Sequence, residues 1–194
     1  VAEAPVISSA DRYCLGGQRL RLVSGTYGAT GSTYRTELDA VARITAQASV
    51  GNIPGWFQVE TRDGRIHEYG NSASSRLMQG LPPYATPLVW SVSRIADRSG
   101  NALTVTYDTD QASRRHRPLQ IDYTVSNAGA ARYRIAFQYP ATDRSDPVSE
   151  ILPTGTGGGG QLETKLLEKL LLQHDGTTYR EYRFTYAQGA GTNS

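Results

Sequence analysis

Few residues of this 194-residue chain could do chemistry: one thiol, Cys14, and three imidazoles, His67, His116 and His174. A cysteine nucleophile needs a base beside it and surroundings that lower its thiol pKa. Cys14 stands instead between Tyr13 and Leu15, just ahead of Gly16-Gly17, and reads as a small buried apolar residue. No two histidines have metal-ligand spacing, and neither His-Glu-x-x-His nor Cys-x-x-Cys occurs. A Ser-His-Asp set has no nucleophile elbow, Gly-x-Ser-x-Gly, to anchor it. The expectation is a chain with no catalytic residue, no metal and no cofactor.

Two further patterns could bind phosphate. Gly155-Thr156-Gly157-Gly158-Gly159-Gly160 fits G-x-G-x-x-G letter by letter. Dinucleotide binding also requires a buried strand directly before the glycines, and here Asp146 to Pro153 is broken by Pro147 and Pro153. Gln161 follows where a Walker lysine would stand, so 153–161 reads as a Gly-rich loop. Arg114-Arg115-His116-Arg117 is the one basic cluster; with no helix or stacking platform beside it, it reads as a solvated loop between strands. Net charge is only +2, with 18 of the 20 basic residues Arg, which gives no strong field for nucleic acid or an anionic membrane. No eighteen-residue apolar run exists to form a membrane span.

The elements that would position these residues read as β-hairpins. Leu88, Val89, Trp90, Val92 and Ile95 form an apolar arm that runs into Asp97-Arg98-Ser99-Gly100-Asn101. The return arm alternates Leu103, Val105 and Tyr107 with Ala102, Thr104 and Thr106, the period of a half-buried strand. Trp56 to Arg62 turns at Asp63-Gly64 into Arg65 to Gly70, and Leu170 to His174 turns at Asp175-Gly176 into Tyr179 to Tyr186. Asp-Gly is a strong hairpin signal, because both turn positions favour φ > 0. Tyr13-Cys14-Leu15 turns at Gly16-Gly17 into Gln18 to Val23, and Tyr133, Ile135, Phe137 and Tyr139 alternate with Arg132, Arg134, Ala136 and Gln138. The fold class expected is all-β, an antiparallel hairpin meander, in which Gly64, Gly100 and Gly176 take positive φ.

The pleat divides the faces. Trp56 or Phe57, Trp90, Leu103, Val105, Tyr107, Ile135, Phe137 and Phe184 are expected inside, and Arg19, Arg21, Arg132, Arg134 and Arg183 outside. The run Leu162 to Leu172 is ambiguous: Leu162, Leu166 and Leu170 share a helical face, yet the run flows into a hairpin signal, so strand is favoured. Twelve Tyr against three Phe suits strands whose rings pack while the hydroxyls reach water or a partner. Residues 1–194 read as one all-β segment of a longer protein, since the chain lacks an initiator Met and has unpatterned ends.

Taken in order, the hairpins carry a family resemblance. Asp11-Arg12-Tyr13-Cys14-Leu15, Gly17-Gln18-Arg19-Leu20, Tyr27-Gly28, Gly31-Ser32 and Tyr34-Arg35-Thr36-Glu37 resemble the opening of bacterial Rhs (YD-repeat) proteins. They are similar also to the SpvB-like N-terminal region of the B components of insecticidal toxin complexes. The likeness runs on through Trp56-Phe57, Asp63-Gly64, Tyr69-Gly70, Trp90, Ser93-Arg94-Ile95, Asp97, Gly100-Asn101 and Tyr107 to Arg183-Phe184-Thr185-Tyr186. It departs at Gly16-Gly17, where the family has Asp-Gly, and at Arg144-Ser145-Asp146, where it has Arg-Pro-Asp.

The resemblance implies a strip of a larger Rhs-type β-shell, secreted, which encloses a toxic C-terminal cargo and helps deliver it. On that implication the partners are other shell segments of the same polypeptide, a toxin cargo or toxin-complex subunit, and further strands pairing at exposed edges. No catalytic residue is carried over: the Glu-x-Glu of the ADP-ribosyltransferase found in some relatives does not occur here, and no self-cleavage site is identifiable. The alternative is an all-β surface module that grips a partner protein or glycan through exposed Tyr and Arg. An enzyme reading rests only on motifs that lack their structural context.

Overall fold

A computed structural model describes residues 12–38, 42–79, 86–111, 115–125, 131–145, 148–150 and 161–187. These residues form strands, turns and irregular segments, with no helix among them. The first half of the chain carries β1 (Cys14–Leu15), β2 (Gln18–Ser24), β3 (Thr33–Thr36), β4 (Arg43–Gln47), β5 (Trp56–Glu60), β6 (Ile66–Tyr69), β7 (Arg76–Gln79), β8 (Thr86–Trp90) and β9 (Val92–Ala96). The second half carries β10 (Ala102–Asp110), β11 (Arg115–Val125), β12 (Tyr133–Gln138), β13 (Val148–Glu150), β14 (Gln161–Glu163), β15 (Lys169–His174) and β16 (Thr177–Arg183).

Twelve of these strands make one sheet in the order β1-β2-β3-β4-β5-β6-β9-β10-β11-β12-β15-β16. Every neighbouring pair is antiparallel. The order is the chain order, interrupted only where the hairpins β7–β8 and β13–β14 leave the sheet. This is the expected meander, and its turns show why it forms. At Asp63-Gly64 the Asp63 carboxylate accepts from the Arg65 N–H at 3.2 Å, and the Gly64 N–H donates to the Thr61 carbonyl at 2.9 Å. At Asp97 the carboxylate accepts from the Ser99 and Asn101 N–H groups at 2.8 and 3.0 Å. Asp175 and Gly176 have φ of 46° and 80°, as a two-residue primed turn needs, and Gly64 and Gly100 both sit at 84°.

The core lies at the N-terminal end of the sheet. Leu20, Tyr34, Ile44, Ala46, Phe57 and Val59, from β2 to β5, are each at most 6% exposed, and Tyr13, Tyr27, Tyr69 and Trp90 pack against them. Trp90 reaches this cluster because β8 has left the sheet and its indole N–H donates to the Pro54 carbonyl at 3.1 Å. Burial fades toward the other end. β12 and β15 are only half-buried, and β16 is exposed at all seven positions.

Several expectations are corrected. Leu88 to Ile95 is two strands, not one arm: the chain breaks at Ser91, and β8 pairs with β7 while β9 rejoins the sheet. Phe184 is exposed, with Tyr182 and Tyr186, because among the described residues no layer covers that end of the sheet. Ala102 is buried beside Val105 although their parity differs; the register of β10 against β11 shifts between Ala102 and Thr104, where Thr124 takes φ 59°. Leu162 to Leu172 is strand at both ends, with residues 164–168 irregular between them. Arg132 and Arg134 point out, whereas Tyr133 and Ile135 are partly buried, as the pleat requires.

Candidate functional site

Cys14 is exposed, contrary to expectation. In β1 its neighbours Tyr13 and Leu15 face the core cluster, so the pleat turns the thiol outward, where it contacts the Arg12 carbonyl at 3.7 Å. The basic cluster is corrected as well: Arg115 to Arg117 open β11, Arg117 is 7% exposed, and Arg114 lies outside the described residues. Arg117 bridges two carboxylates, Asp108 at 2.8 Å and Glu163 at 3.1 Å, with its guanidinium 4.1 Å from the Tyr139 ring centre. Burial alone would raise the Asp108 pKa, but hydrogen bonds from Arg117 and Arg115 outweigh it and hold the carboxyl below its ordinary value. The arginine therefore ties the β13–β14 hairpin to the sheet and is not a phosphate patch. The Gly155 to Gly160 run falls outside the described residues, and Gln161, at the end of the expected loop, opens β14.

The histidines do not meet. His67 in β6 stacks on Tyr69, and His174 ends β15 against Tyr133, 4.5 Å between ring centres. Among the described residues no three of His, Cys, Asp and Glu stand close enough to hold a metal ion. His116 has partners that sequence reasoning missed. Its Nε2 lies 2.7 Å from Ser91 Oγ, its Nδ1 2.8 Å from Thr109 Oγ1, and its ring stacks on Tyr107 at 4.7 Å. Thr109 donates its single proton to the Ser74 carbonyl at 2.6 Å, so Nδ1 must carry the imidazole hydrogen and Nε2 accepts from Ser91. The arrangement resembles a serine–histidine pair, with a threonine where a triad has a carboxylate. It bridges the β7–β8 excursion to β10 and β11, and no spacing in the sequence announces it.

Burial holds the His116 pKa below its ordinary value of 6.5. Protonation therefore favours the unfolded chain. The stability contributed by the neutral ring is complete above about pH 6.5 and falls as the pH drops from there through the depressed folded value. Urea denaturation between pH 8 and 5 is expected to show this loss, and His116→Gln to flatten it. His67 is also lowered by burial and leaves a residual slope in the variant. A slope unchanged by His116→Gln would refute the assignment.

The largest built feature is aromatic. Tyr13 stacks on Tyr27 at 5.0 Å and meets Phe57 and Trp90 edge-on at 5.3 and 5.6 Å. The ring hydroxyls are spent inside the protein: Tyr27 Oη accepts from the Tyr13 N–H, and Tyr34 Oη accepts from the Gly28 N–H, both at 2.7 Å. The Tyr13 pKa is pushed up to about 12, by burial first and then by Tyr27 and Tyr34. Between this cluster and β8 a cavity of about 320 Å³ remains, floored by Leu20, Ile44, Phe57 and Val59 and walled by Leu88 to Trp90. Alternating apolar residues made the floor legible, but the hairpin that forms the other wall was not.

No family model matches the chain, and no curated protein matches it by sequence. Solved structures do match. The N-terminal domain of effector protein SpvB from Salmonella typhimurium strain LT2 superposes with a TM-score of 0.58 at 15% identity, over 81% of this chain and 59% of that one. The TcdB2-TccC3 structure superposes with a TM-score of 0.54 at 11% identity, over 81% of this chain and 10% of that one. The chain thus shares its all-β fold with the SpvB N-terminal domain and with part of the TcdB2-TccC3 structure, and it spans under two thirds of either.

Proposed function

We propose that this chain is a non-enzymatic wall segment of a β-shell in a secreted Rhs- or toxin-complex-like protein that encloses and helps deliver a toxic cargo. The observation that carries the reading is the single twelve-stranded sheet laid down in chain order, whose last strand, β16, is exposed along its whole length. A free strand edge is a template for further pairing, and a strip that grows strand by strand can be extended into a wall. The fold shared with SpvB and TcdB2-TccC3 supports the same reading. No helix among the described residues is long and apolar enough to cross a membrane.

A second reading has its own observation. Tyr179, Tyr182, Phe184 and Tyr186 are all exposed, and Arg180 and Arg183 stand among them, the residue types that dominate binding hot spots. The test is electron cryomicroscopy of the full-length parent polypeptide. A hollow shell with this sheet in its wall, continued at β16 by a further strand, is expected. A sheet that ends at β16 with its aromatic residues in solvent or against a separate partner would overturn the shell in favour of the binding module.

A further inference from the structure

Gln138, Lys169 and Arg183 are register partners at one end of β12, β15 and β16, so the segments just outside these strands meet there. They enclose a half-open cavity of about 230 Å³, to which Phe184 and Tyr186 bring aromatic rings and Asp143 and Glu168 bring carboxylates. Hydrogen bonds fix both sides of it. The Phe184 N–H donates to the Glu168 carbonyl at 2.9 Å, the Tyr186 hydroxyl to the Leu167 carbonyl at 2.8 Å, and the Arg144 N–H to the Thr164 carbonyl at 2.7 Å. Phe184 and Tyr186 are nevertheless 39% and 53% exposed, so anchored rings face open space. The charges around the cavity balance. Asp143 has Lys165 at 3.7 Å, Glu168 has Lys169 at 3.7 Å, and Arg144, on the same lining, has an interaction of its own within the protein. The site therefore exerts no net pull on an ion of either sign. Its acceptors are not used up: Thr164 donates to Asp143 Oδ1 at 3.0 Å, while Asp143 Oδ2 and the Glu168 carboxylate accept no hydrogen bond from the described residues.

We propose that this cavity binds one neutral hexopyranose ring. Such a ring offers an apolar C–H face and a rim of hydroxyl donors, the two surfaces that the cavity complements. The C–H face lies on Phe184 and Tyr186, where its burial is favourable. The hydroxyls donate to Asp143 Oδ2 and to Glu168, whose ionised carboxyls only accept, and these charge-assisted bonds are the strong ones. A cation would meet the same rings and carboxylates, but also Lys165 and Lys169 beside them. About 230 Å³ falls below the range of drug-sized ligand sites, which suits a single sugar ring. The cavity lies past the end of β16 and not along its edge, so the inference goes beyond the wall reading and is compatible with a further strand paired there. Two sources supply the ligand, a free monosaccharide and the terminal residue of a glycan chain.

The 194-residue chain is titrated with methyl β-D-glucopyranoside, methyl β-D-galactopyranoside and methyl α-D-mannopyranoside, with tetramethylammonium and acetate as ionic controls. Binding is followed by saturation-transfer NMR. At least one glycoside is expected to saturate at about 1–10 mM, with transfer strongest to the C–H protons of one ring face. Both ionic controls are expected to bind about tenfold or more weakly. Tyr186→Ala is expected to lower the affinity about tenfold or more, and Asp143→Asn with Glu168→Gln about fivefold or more. These residues lie outside the strands, so circular dichroism is expected to be unchanged. If Tyr186→Ala fails to fold, the carboxylate variant carries the test. A disaccharide that ends in the preferred sugar and binds about tenfold more tightly than its methyl glycoside identifies a glycan chain as the source, and equal or weaker binding identifies the free sugar. No glycoside saturating by about 50 mM, an ionic control binding as tightly as the best glycoside, or an affinity unchanged in the folded variants would overturn the site. None of these results bears on the shell, which the parent's architecture tests separately.

Discussion

Gly70→Ala is expected to destabilise the fold by about 2–5 kcal/mol and to dislodge Trp90. Gly70 follows β6 at φ 82°, is buried, and donates its N–H to the Ser91 carbonyl at 2.8 Å. Two costs add. The left-handed backbone costs a residue with a Cβ about 1–2 kcal/mol, and overpacking adds about 1–3 kcal/mol. The overpacking is specific, because a Cβ at Gly70 would lie 2.4 Å from Trp90 Cδ1. Gly17→Ala separates the two costs, since Gly17 has φ 76° but nothing within 4 Å of the added carbon. Urea denaturation should show Gly70→Ala costing clearly more than Gly17→Ala, with a red shift of Trp90 emission in the former only. Equal losses would mean that Trp90 yields freely and does not hold β8 against the sheet.

What could be read from the sequence was local. Asp63-Gly64 and Asp97 to Asn101 fix their hairpins through side-chain and backbone bonds spanning no more than four residues, and Asp175-Gly176 fixes its own through the pairing of His174 with Thr177, its carboxylate reaching out to Arg132. Alternation then placed Tyr133 and Ile135 against Arg132 and Arg134 correctly. Two of the departures share a cause, which is contact between elements distant in sequence. Arg117 looks solvated until Glu163, 46 residues away, is brought beside it. Leu88 to Ile95 looks continuous because nothing in those residues says that β8 will fold over the sheet while β9 stays within it. Cys14 is different: Tyr13 and Leu15 claim the inner face, and the pleat outweighs the general tendency of free cysteines to be buried. Phe184 was placed inside by parity alone, and parity assigns a face without saying whether anything covers it.

The two excursions from the sheet carry most of what is particular to this chain, and they are fastened differently. β7–β8 is held by hydrophobic packing and by hydrogen bonds outside any ion pair: Trp90 to Pro54, Ser91 to His116, the Arg76 guanidinium to the Gly55 carbonyl at 3.3 Å, and Gln111, which accepts from the Met78 N–H at 2.8 Å and donates to the Arg76 carbonyl at 3.0 Å. β13–β14 is held by charge, through Arg117 and Glu163. The first excursion should therefore respond to packing changes and to protonation of His116 below about pH 6.5, and the second to charge changes and to acid below the ordinary carboxylate pKa.

Arg117→Met is the sharpest test of that division. Removing one partner from a buried ion pair costs about 3–5 kcal/mol, because the remaining charges stay desolvated. Here the carboxylates of Asp108 and Glu163 are 29% and 30% exposed, and Asp108 keeps Arg115 at 3.1 Å, so a loss of about 2–4 kcal/mol is expected. Met preserves most of the buried stem, which assigns the loss to the guanidinium fork and its contact with Tyr139. Acid supplies a second readout. The folded pKa of Asp108 lies below its ordinary 3.8, so the carboxylate contributes stability that is complete above about pH 3.8 and is lost as the pH falls below it. In Arg117→Met one hydrogen-bonding cation is gone, the Asp108 pKa rises toward 3.8, and the acid-dependent loss should shrink. Asp108→Asn combined with Arg117→Met should cost less than the two single changes added together, by about 0.5–3 kcal/mol. Additive losses with an unchanged acid limb would mean that Arg117 is held by its apolar stem alone and that charge does not fasten β13–β14 to the sheet.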